Sequence, residues 1–229
     1  MYHPIADYAL IGDTHTTALI ARDGSVDWLC WPRHDSPALF LRLLDDRKGG
    51  ACTIALDGLQ RCERRYLPDT NILETTFHTR TEHGAGRAVL LDFMPVQPPG
   101  TDRAEGPDSD TESRLIRLLR CEHGRVTGCF SVRPTFDYAR LPCTPEAQPD
   151  GTALFEAGEH RLRVAALPSV PTVRGDAAES CFVLGSGEAA YLVLTQGQDG
   201  GPDGGVHPVE DLVAAEDRLR NTRGYWERW

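Results

Sequence analysis

Short apolar runs broken by Gly, Pro, Asp and Asn recur along almost the whole chain, a spacing that predicts antiparallel β-structure with many turns. The runs read as strands are YALIG (8–12), TALIAR (17–22), SVDWLCW (25–31), ACTIAL (51–56), NILETTFHT (71–79) and RAVLLDFM (87–94). Further along come SRLIRLLRCE (113–122), RVTGCFSVRPTF (125–136), LRVAAL (162–167), SCFVL (180–184) and AAYLVLTQ (189–196). These are too many for one open sheet, so the expectation is a mainly β protein, a two-layer antiparallel β-sandwich. SRLIRLLRCE suits a helix about as well as a strand.

The segment QPPGTDRAEGPDSDTES (97–113) has no apolar anchor and reads as a surface loop. A second break, GQDGGPDGG (197–205), precedes a change of period. From Val209 onward, Leu212, Ala215, Leu219 and Trp226 fall near helical spacing, which predicts a C-terminal helix leading away from the β-body. The chain thus divides into a β-domain over 1–208 and a helical linker over 209–229. Tyr225, Trp226 and Trp229 at the end of that linker need a surface to pack against and are docking candidates.

The stretch ARDGSVDWLCWPRHDSP (21–37) concentrates several local signals. Asp23-Gly24 between two strand-like runs predicts a type I′ hairpin, with Leu19 opposite Trp28 and Ile20 opposite Asp27. Alternation then sets Val26, Trp28 and Cys30 on the core side with Leu19 and Ala21. Asp27 faces the other way and needs a donor if covered. Pro32 ends the strand, and Ser36-Pro37 reads as a helix entry, so a short helix is expected over 38–44 with Gly49-Gly50 turning the chain back. Trp31, Pro32, Arg33, His34 and Asp35 form the corner between strand and helix.

Composition narrows the function classes. A net charge of -10 repels a polyanion, and no basic stripe with interleaved aromatics offsets it, so nucleic acid is not expected as a partner. No apolar run reaches the ~18 to 20 residues that cross a bilayer as a helix, so no membrane partner is expected. The seven cysteines form neither a CxxC pair nor a zinc-spaced array, and the first thirty residues, with Asp7, Asp13, Asp23 and Asp27, lack a signal-peptide pattern. The expectation is reduced thiols in a cytoplasmic protein. Eight scattered histidines without HxH or HExxH predict no metal, and no cofactor motif, GxSxG elbow or phosphate loop is present. Asp69, Glu74, Asp92 and Asp137 are the best placed acids; they are read as turn caps, partners of arginines such as Arg65 and Arg140, or solvated groups. Gly12-Asp13-Thr14 reads as a turn, with a ligand-facing position at the end of the first strand as the alternative.

The run YHPIADYALIGDTHTTALIARDGSVDWLCWPRHDSPALFLRLLDDRKGG (2–50) closely resembles the amino-terminal signature of glycoside hydrolase family 15, the bacterial and archaeal glucoamylase and trehalase-like group. RRYLPDTNILETTF (64–77), LLDFMP (90–95), RPTFDYAR (133–140) and RNTRGYWERW (220–229) follow in family order. The resemblance implies an amino-terminal β-supersandwich, a helical linker and then an (α/α)₆ barrel that hydrolyses α-glucosidic bonds with inversion. It places both catalytic glutamates in the barrel, so no catalytic residue is expected here, and the chain is expected to be inactive alone. His34 stands where an aromatic residue is common and His15 where an arginine is common.

Within that frame the corner is the foremost candidate for function. Trp31 would stack on a sugar face and Arg33 and Asp35 would meet sugar hydroxyls, with His34 beside them at a substrate entrance, or the four would stand at a domain interface, with Arg33 and Asp35 paired across it to orient the barrel. The leading reading is a non-catalytic amino-terminal domain that supports folding and borders the active-site entrance. Two others stay open: a free-standing carbohydrate-binding or interaction module derived from that domain, and assembly into a homo-oligomer through strand edges or the terminal helix.

Overall fold

The computed structural model describes residues 3–96, 113–141, 143–196 and 212–229. The expected loops at 97–113 (apart from Ser113) and 197–205 lie outside the described residues. Two antiparallel sheets pack face to face, with one helix near the C-terminus. The first sheet holds β1 (Ala9–Gly12), β2 (Thr17–Ile20), β3 (Val26–Cys30), β4 (Ala38–Phe40), β5 (Ala51–Leu56), β10 (Arg125–Arg133), β14 (Thr172–Arg174) and β15 (Ala177–Gly185). The second holds β6 (Leu59–Tyr66), β7 (Leu73–Thr81), β8 (Gly84–Phe93), β9 (Ser113–His123), β11 (Pro145–Ala147), β12 (Ala153–Ala157), β13 (His160–Leu167) and β16 (Ala189–Gln196). Strand order is β1-β2-β3-β5-β10-β15-β14, with β4 on β3, in one layer, and β11-β12-β13-β16-β9-β8-β7-β6 in the other.

Period-2 patterning builds the layers. In β10, Val126, Phe130 and Val132 point into the space between the sheets, while Thr127, Cys129 and Ser131 are half-buried on the outer face. Strands β8, β9 and β16 read as unbroken apolar runs because both of their faces are covered. Leu90, Leu115, Leu119 and Leu192 enter the inter-sheet core, whereas Leu91, Ile116, Leu118 and Val193 belong to a second apolar layer with Leu212, Ala215 and Leu219. The latter three lie on α1 (Leu212–Trp226). The ambiguous run SRLIRLLRCE is therefore strand β9, and the helix expected to lead away lies on the sandwich instead. Its seat is fixed by the Arg120–Glu216 ion pair at 2.9 Å and by the Val96 N–H donating to Thr222 Oγ1 at 3.4 Å.

A buried polar link crosses the core. Arg117 of β9, wholly buried, donates through Nε to Asp92 of β8 at 2.8 Å and through its Nη atoms to the Cys52 carbonyl (3.2 Å) and to the Gly24 carbonyl. Its guanidinium also stands 6.0 Å from the centre of the Phe130 ring. Asp92 sits in the second sheet, while Cys52, Gly24 and Phe130 belong to the first, so Arg117 bolts the layers together.

Four local expectations are corrected. The Asp23-Gly24 turn is not type I′: Gly24 alone has positive φ (84°), the Gly24 N–H donates to Ala21 O at 3.0 Å, and the Ala21 N–H donates to Ser25 O at 2.8 Å. This is a type I turn with a glycine bulge. The same device recurs at Asp150-Gly151-Thr152, where the Gly151 N–H donates to Gln148 O (3.0 Å) and the Gln148 N–H to Thr152 O (2.8 Å). A register shift between Leu19 and Ile20 then pairs Leu19 with Trp28 but Ile20 with Val26. Asp27 is the extra residue, and the bulge reverses the faces: Val26 and Leu29 enter the core, while Trp28 and Cys30 pack outside with Ala38 and Leu41. Asp27, 1% exposed, does find a donor in Tyr8 Oη (2.9 Å) and stands 2.7 Å from Arg42 Nη2.

The helix expected over 38–44 is absent. Ala38–Phe40 forms β4 on β3, and the Leu41 N–H donates to Gly49 O at 2.6 Å, closing the loop. The Ser36 hydroxyl accepts from the Arg33 N–H at 3.2 Å, behind it, rather than capping a helix ahead. The thiols are not all reduced: Cys129 and Cys181 face each other across β10 and β15 and are joined as a disulfide. Direct opposition on adjacent strands brings the sulfurs together, which spacing in the sequence does not reveal.

Candidate functional site

One rim of the sandwich is built from three turns. In the β1–β2 turn, Asp13 Oδ1 accepts the N–H groups of His15 and Thr16, both at 2.9 Å, and holds Thr14 at φ 77°. In the β6–β7 turn, the Thr70 N–H and hydroxyl both donate to Leu67 O, with Asp69 at φ 56°. The corner after β3 is tied to the first turn because the His34 N–H donates to His15 O at 3.2 Å, with His34 Nδ1 at the same distance.

The free edge of β1 is laced to the other sheet by side chains. Tyr66 Oη accepts the Leu10 N–H at 2.9 Å and donates to Leu10 O at 2.8 Å; Asn71 Oδ1 accepts the Gly12 N–H at 2.5 Å, and its Nδ2 donates to Leu10 O. Groups that an edge strand leaves unpaired are thereby satisfied without a neighbouring strand. Tyr66 and Asn71 were not singled out from sequence; the signal was their position in RRYLPDTNILETTF, a block that supplies both the end of β6 and the turn.

These turns and the end of α1 enclose a cleft of about 960 Å³, lined by Leu10, Thr14, His15, His34, Tyr66, Asp69, Trp226 and Trp229 among others. Tyr225 and Trp226 meet edge-to-face with centroids 5.1 Å apart, and Trp226 meets Trp229 the same way at 6.0 Å. Trp226 is half-buried, with its indole N–H unpartnered among the described residues. Trp229 is 88% exposed.

Of the corner residues, His34 alone lines the cleft. Arg33 and Asp35 bind each other at 3.0 Å on the open surface, and the Arg33 hydrogen bond holds the Asp35 carboxyl below the usual aspartate range. Trp31 is 1% exposed within the inter-sheet core, so it has no open face and the stacking role expected of it is not available. Its position follows from the bulge at Asp27, which turns residue 31 inward.

Asp69 is the single carboxylate among the described residues that line the cleft, whereas inverting hydrolysis needs an acid and a base roughly 6.5 to 9.5 Å apart. The other acids have structural partners: Glu74 binds Arg65 at 2.6 Å, Asp137 lies 3.7 Å from Arg140, and Asp92 holds Arg117. Among the described residues the cleft holds no pair of carboxyl groups of that kind.

Residues 2–84 match the family described as trehalase-like, N-terminal. That span contains every described lining residue of the cleft except Trp226 and Trp229. Over its full length the chain is 35% identical to a trehalase of Mycolicibacterium smegmatis and 32% identical to a trehalase of Mycobacterium tuberculosis, covering 34% of each. Trehalase 1 of Sulfolobus acidocaldarius is 28% identical over 95% of the chain and 33% of its own length. The chain spans about a third of the length of these trehalases. The family match covers the turns of the cleft, and the likeness to the two mycobacterial trehalases continues through α1.

Proposed function

We propose that this chain is the non-catalytic N-terminal domain of a trehalase-type glycosidase of glycoside hydrolase family 15, in which a following barrel hydrolyses an α-glucosidic bond. The observation that carries the reading is the likeness along the whole chain to one third of several trehalases, combined with a cleft that has one carboxylate where hydrolysis requires two. The sandwich supports the barrel, α1 is the linker, and Tyr225 and Trp226 dock against the barrel. His34 and the Arg33–Asp35 pair stand at the domain boundary or substrate entrance, and Trp229 docks against the barrel with Tyr225 and Trp226.

The test is complementation. The purified chain is expected to release no glucose from trehalose. Fused ahead of the remaining two thirds of the M. smegmatis trehalase, it is expected to restore soluble, active enzyme where that remainder alone does not fold. Hydrolysis by the chain alone, or full activity of the remainder without it, overturns the reading.

A further inference from the structure

We infer that the loop 136–141, which follows β10, is a docking site for the domain that follows this chain, with Tyr138 and Arg140 as its contact residues. The partner rests on the trehalase-type reading above, while the site rests on the geometry of the loop itself.

The backbone of this loop runs against the preferences of its residues. Asp137, Tyr138 and Ala139 have φ of 47°, 56° and 63°, three consecutive left-handed residues without a glycine. The Arg140 N–H donates to Asp137 O at 3.1 Å and the Leu141 N–H to Phe136 O at 3.3 Å. Tyr138 and Ala139 are therefore the central pair of a tight turn with positive φ at both positions. Asn-Gly closes such a turn without strain, and the Asp23 and Asp150 turns of this protein do place a glycine at their left-handed position. Here a bulky tyrosine is kept instead. Non-glycine residues persist in this region only where their surroundings hold them, and they cluster at functional sites.

The base of the loop supplies the hold. Phe136 is buried in the inter-sheet core and stacks on His160 of β13, with centroids 5.7 Å and planes 11° apart. Thr135 donates its N–H to Leu39 O at 2.8 Å and its hydroxyl to Gly49 O at 3.2 Å. The loop is thus pinned to both sheets, and it lifts clear Tyr138, 43% exposed, and the open side chain of Arg140. Within the chain, Arg140 stands 5.6 Å from the centre of the Tyr138 ring and 3.7 Å from Asp137. Such contacts in water return less than three left-handed residues cost. An exposed tyrosine beside an arginine on a fixed mount is the kind of anchor that dominates protein interfaces.

Topology supplies the partner. Strands β3 and β10 run the same way, both antiparallel to β5, so the loop leaves the first sheet at the end from which the corner 31–35 leaves. The helix α1 reaches that end too, since Thr222 accepts the Val96 N–H just past β8 and Trp226 lines the cleft with His34. A domain continuing from α1 emerges on the end that carries Tyr138. The chain covers 34% of each mycobacterial trehalase, so in the trehalase-type reading the larger part of the protein follows and needs a seat. The surface that fits Tyr138 and Arg140 is an apolar pocket with a carboxylate at its edge.

The experiment compares the 229-residue chain with its fusion to the remaining two thirds of the M. smegmatis trehalase. Hydroxyl-radical footprinting is expected to oxidise Tyr138 in the chain and to find it protected in the active fusion. Tyr138→Ala is expected to shorten the half-life of the fusion's activity on heating about tenfold, the scale of one interface anchor. Tyr138→Phe is expected to preserve that half-life, and Tyr138→Ala to leave the urea midpoint of the chain alone unchanged. Equal oxidation of Tyr138 in the chain and in an active fusion overturns the inference and leaves the domain reading standing. So does a Tyr138→Ala fusion with the parent's half-life, or a Tyr138→Ala chain whose urea midpoint falls, because the loss then lies within the sandwich. Protection that appears in the chain alone as its concentration rises, with a doubled mass by light scattering, assigns the loop to a second copy and overturns the inference as well. An inactive fusion removes the domain reading, and the inference with it.

Discussion

Arg117 and Asp92 meet at 2.8 Å with neither side chain exposed to solvent, on adjacent strands of one sheet, and the guanidinium reaches through to carbonyls of the other. Burial opposes the charge on Arg117, and attraction to the Asp92 carboxylate outweighs it, so the guanidinium is held protonated more firmly than in water. Removing one partner strands the other charge in the core. Asp92→Ala is therefore expected to cost roughly 3–5 kcal/mol in urea unfolding. Combining it with Arg117→Met is expected to recover part of the loss but not all, because the carbonyls of Gly24 and Cys52 then lack their donor. A double mutant no more stable than Asp92→Ala would contradict this account.

The twin turns at Asp23 and Asp150 set an acid limit on stability. Burial pushes each carboxyl up, but hydrogen bonds from the backbone and hydroxyl of Ser25, or of Thr152, prevail and hold both below the usual aspartate range. A carboxyl depressed in the folded state contributes stability that is complete above its unfolded value of about 3.9 and lost as pH falls through the lower folded value. Urea midpoints at pH 7 and pH 3 are expected to differ less in an Asp23→Ala, Asp150→Ala protein than in the parent. An unchanged difference would show that these turns are not the titrating groups.

The lacing of β1 predicts a local rather than global effect. Asn71→Ala removes the acceptor of the Gly12 N–H and a donor to Leu10 O, costing about 1–3 kcal/mol. Hydrogen exchange is expected to quicken at Gly12 while the amides of β9 keep their protection. Equal loss of protection at both places would mean that β1 does not open on its own.

Ala215 is fully buried where α1 crosses the outer face of the second sheet. Ala215→Leu has no space to occupy and is expected to cost roughly 1–3 kcal/mol by overpacking. Far-ultraviolet and thermal measurements should show α1 released before the sheets unfold.

Seven cysteines with one disulfide leave five thiols, at Cys30, Cys52, Cys62, Cys121 and Cys143. Thiol titration in denaturant is expected to find five groups before reduction and seven after. Seven at the outset would dispose of the Cys129–Cys181 bond.

Strands with one covered face, such as β5 and β10, were legible because alternation repeats the chemistry of burial every second residue. Strand β6 was not, since LQRCERRY lies on an edge with most of its side chains in water and thus has no apolar period. The acids were read well: Glu74 and Asp137 do pair with Arg65 and Arg140. The corner was read less well, because one extra residue at Asp27 exchanges inside for outside for everything that follows in β3, and a bulge leaves little mark on composition.

By itself the sequence determined the class of fold, most of the strands, the turn positions and the helical register of α1, all of which depend on neighbours a few residues apart. Only the tertiary structure decided that Trp31 is core, that α1 lies on the sandwich, that Cys129 meets Cys181, and that residues near 14, 34, 69 and 229 share one cleft. Those outcomes turn on the register and packing of distant segments, where a shift of one residue reverses every face, and no local pattern encodes that choice.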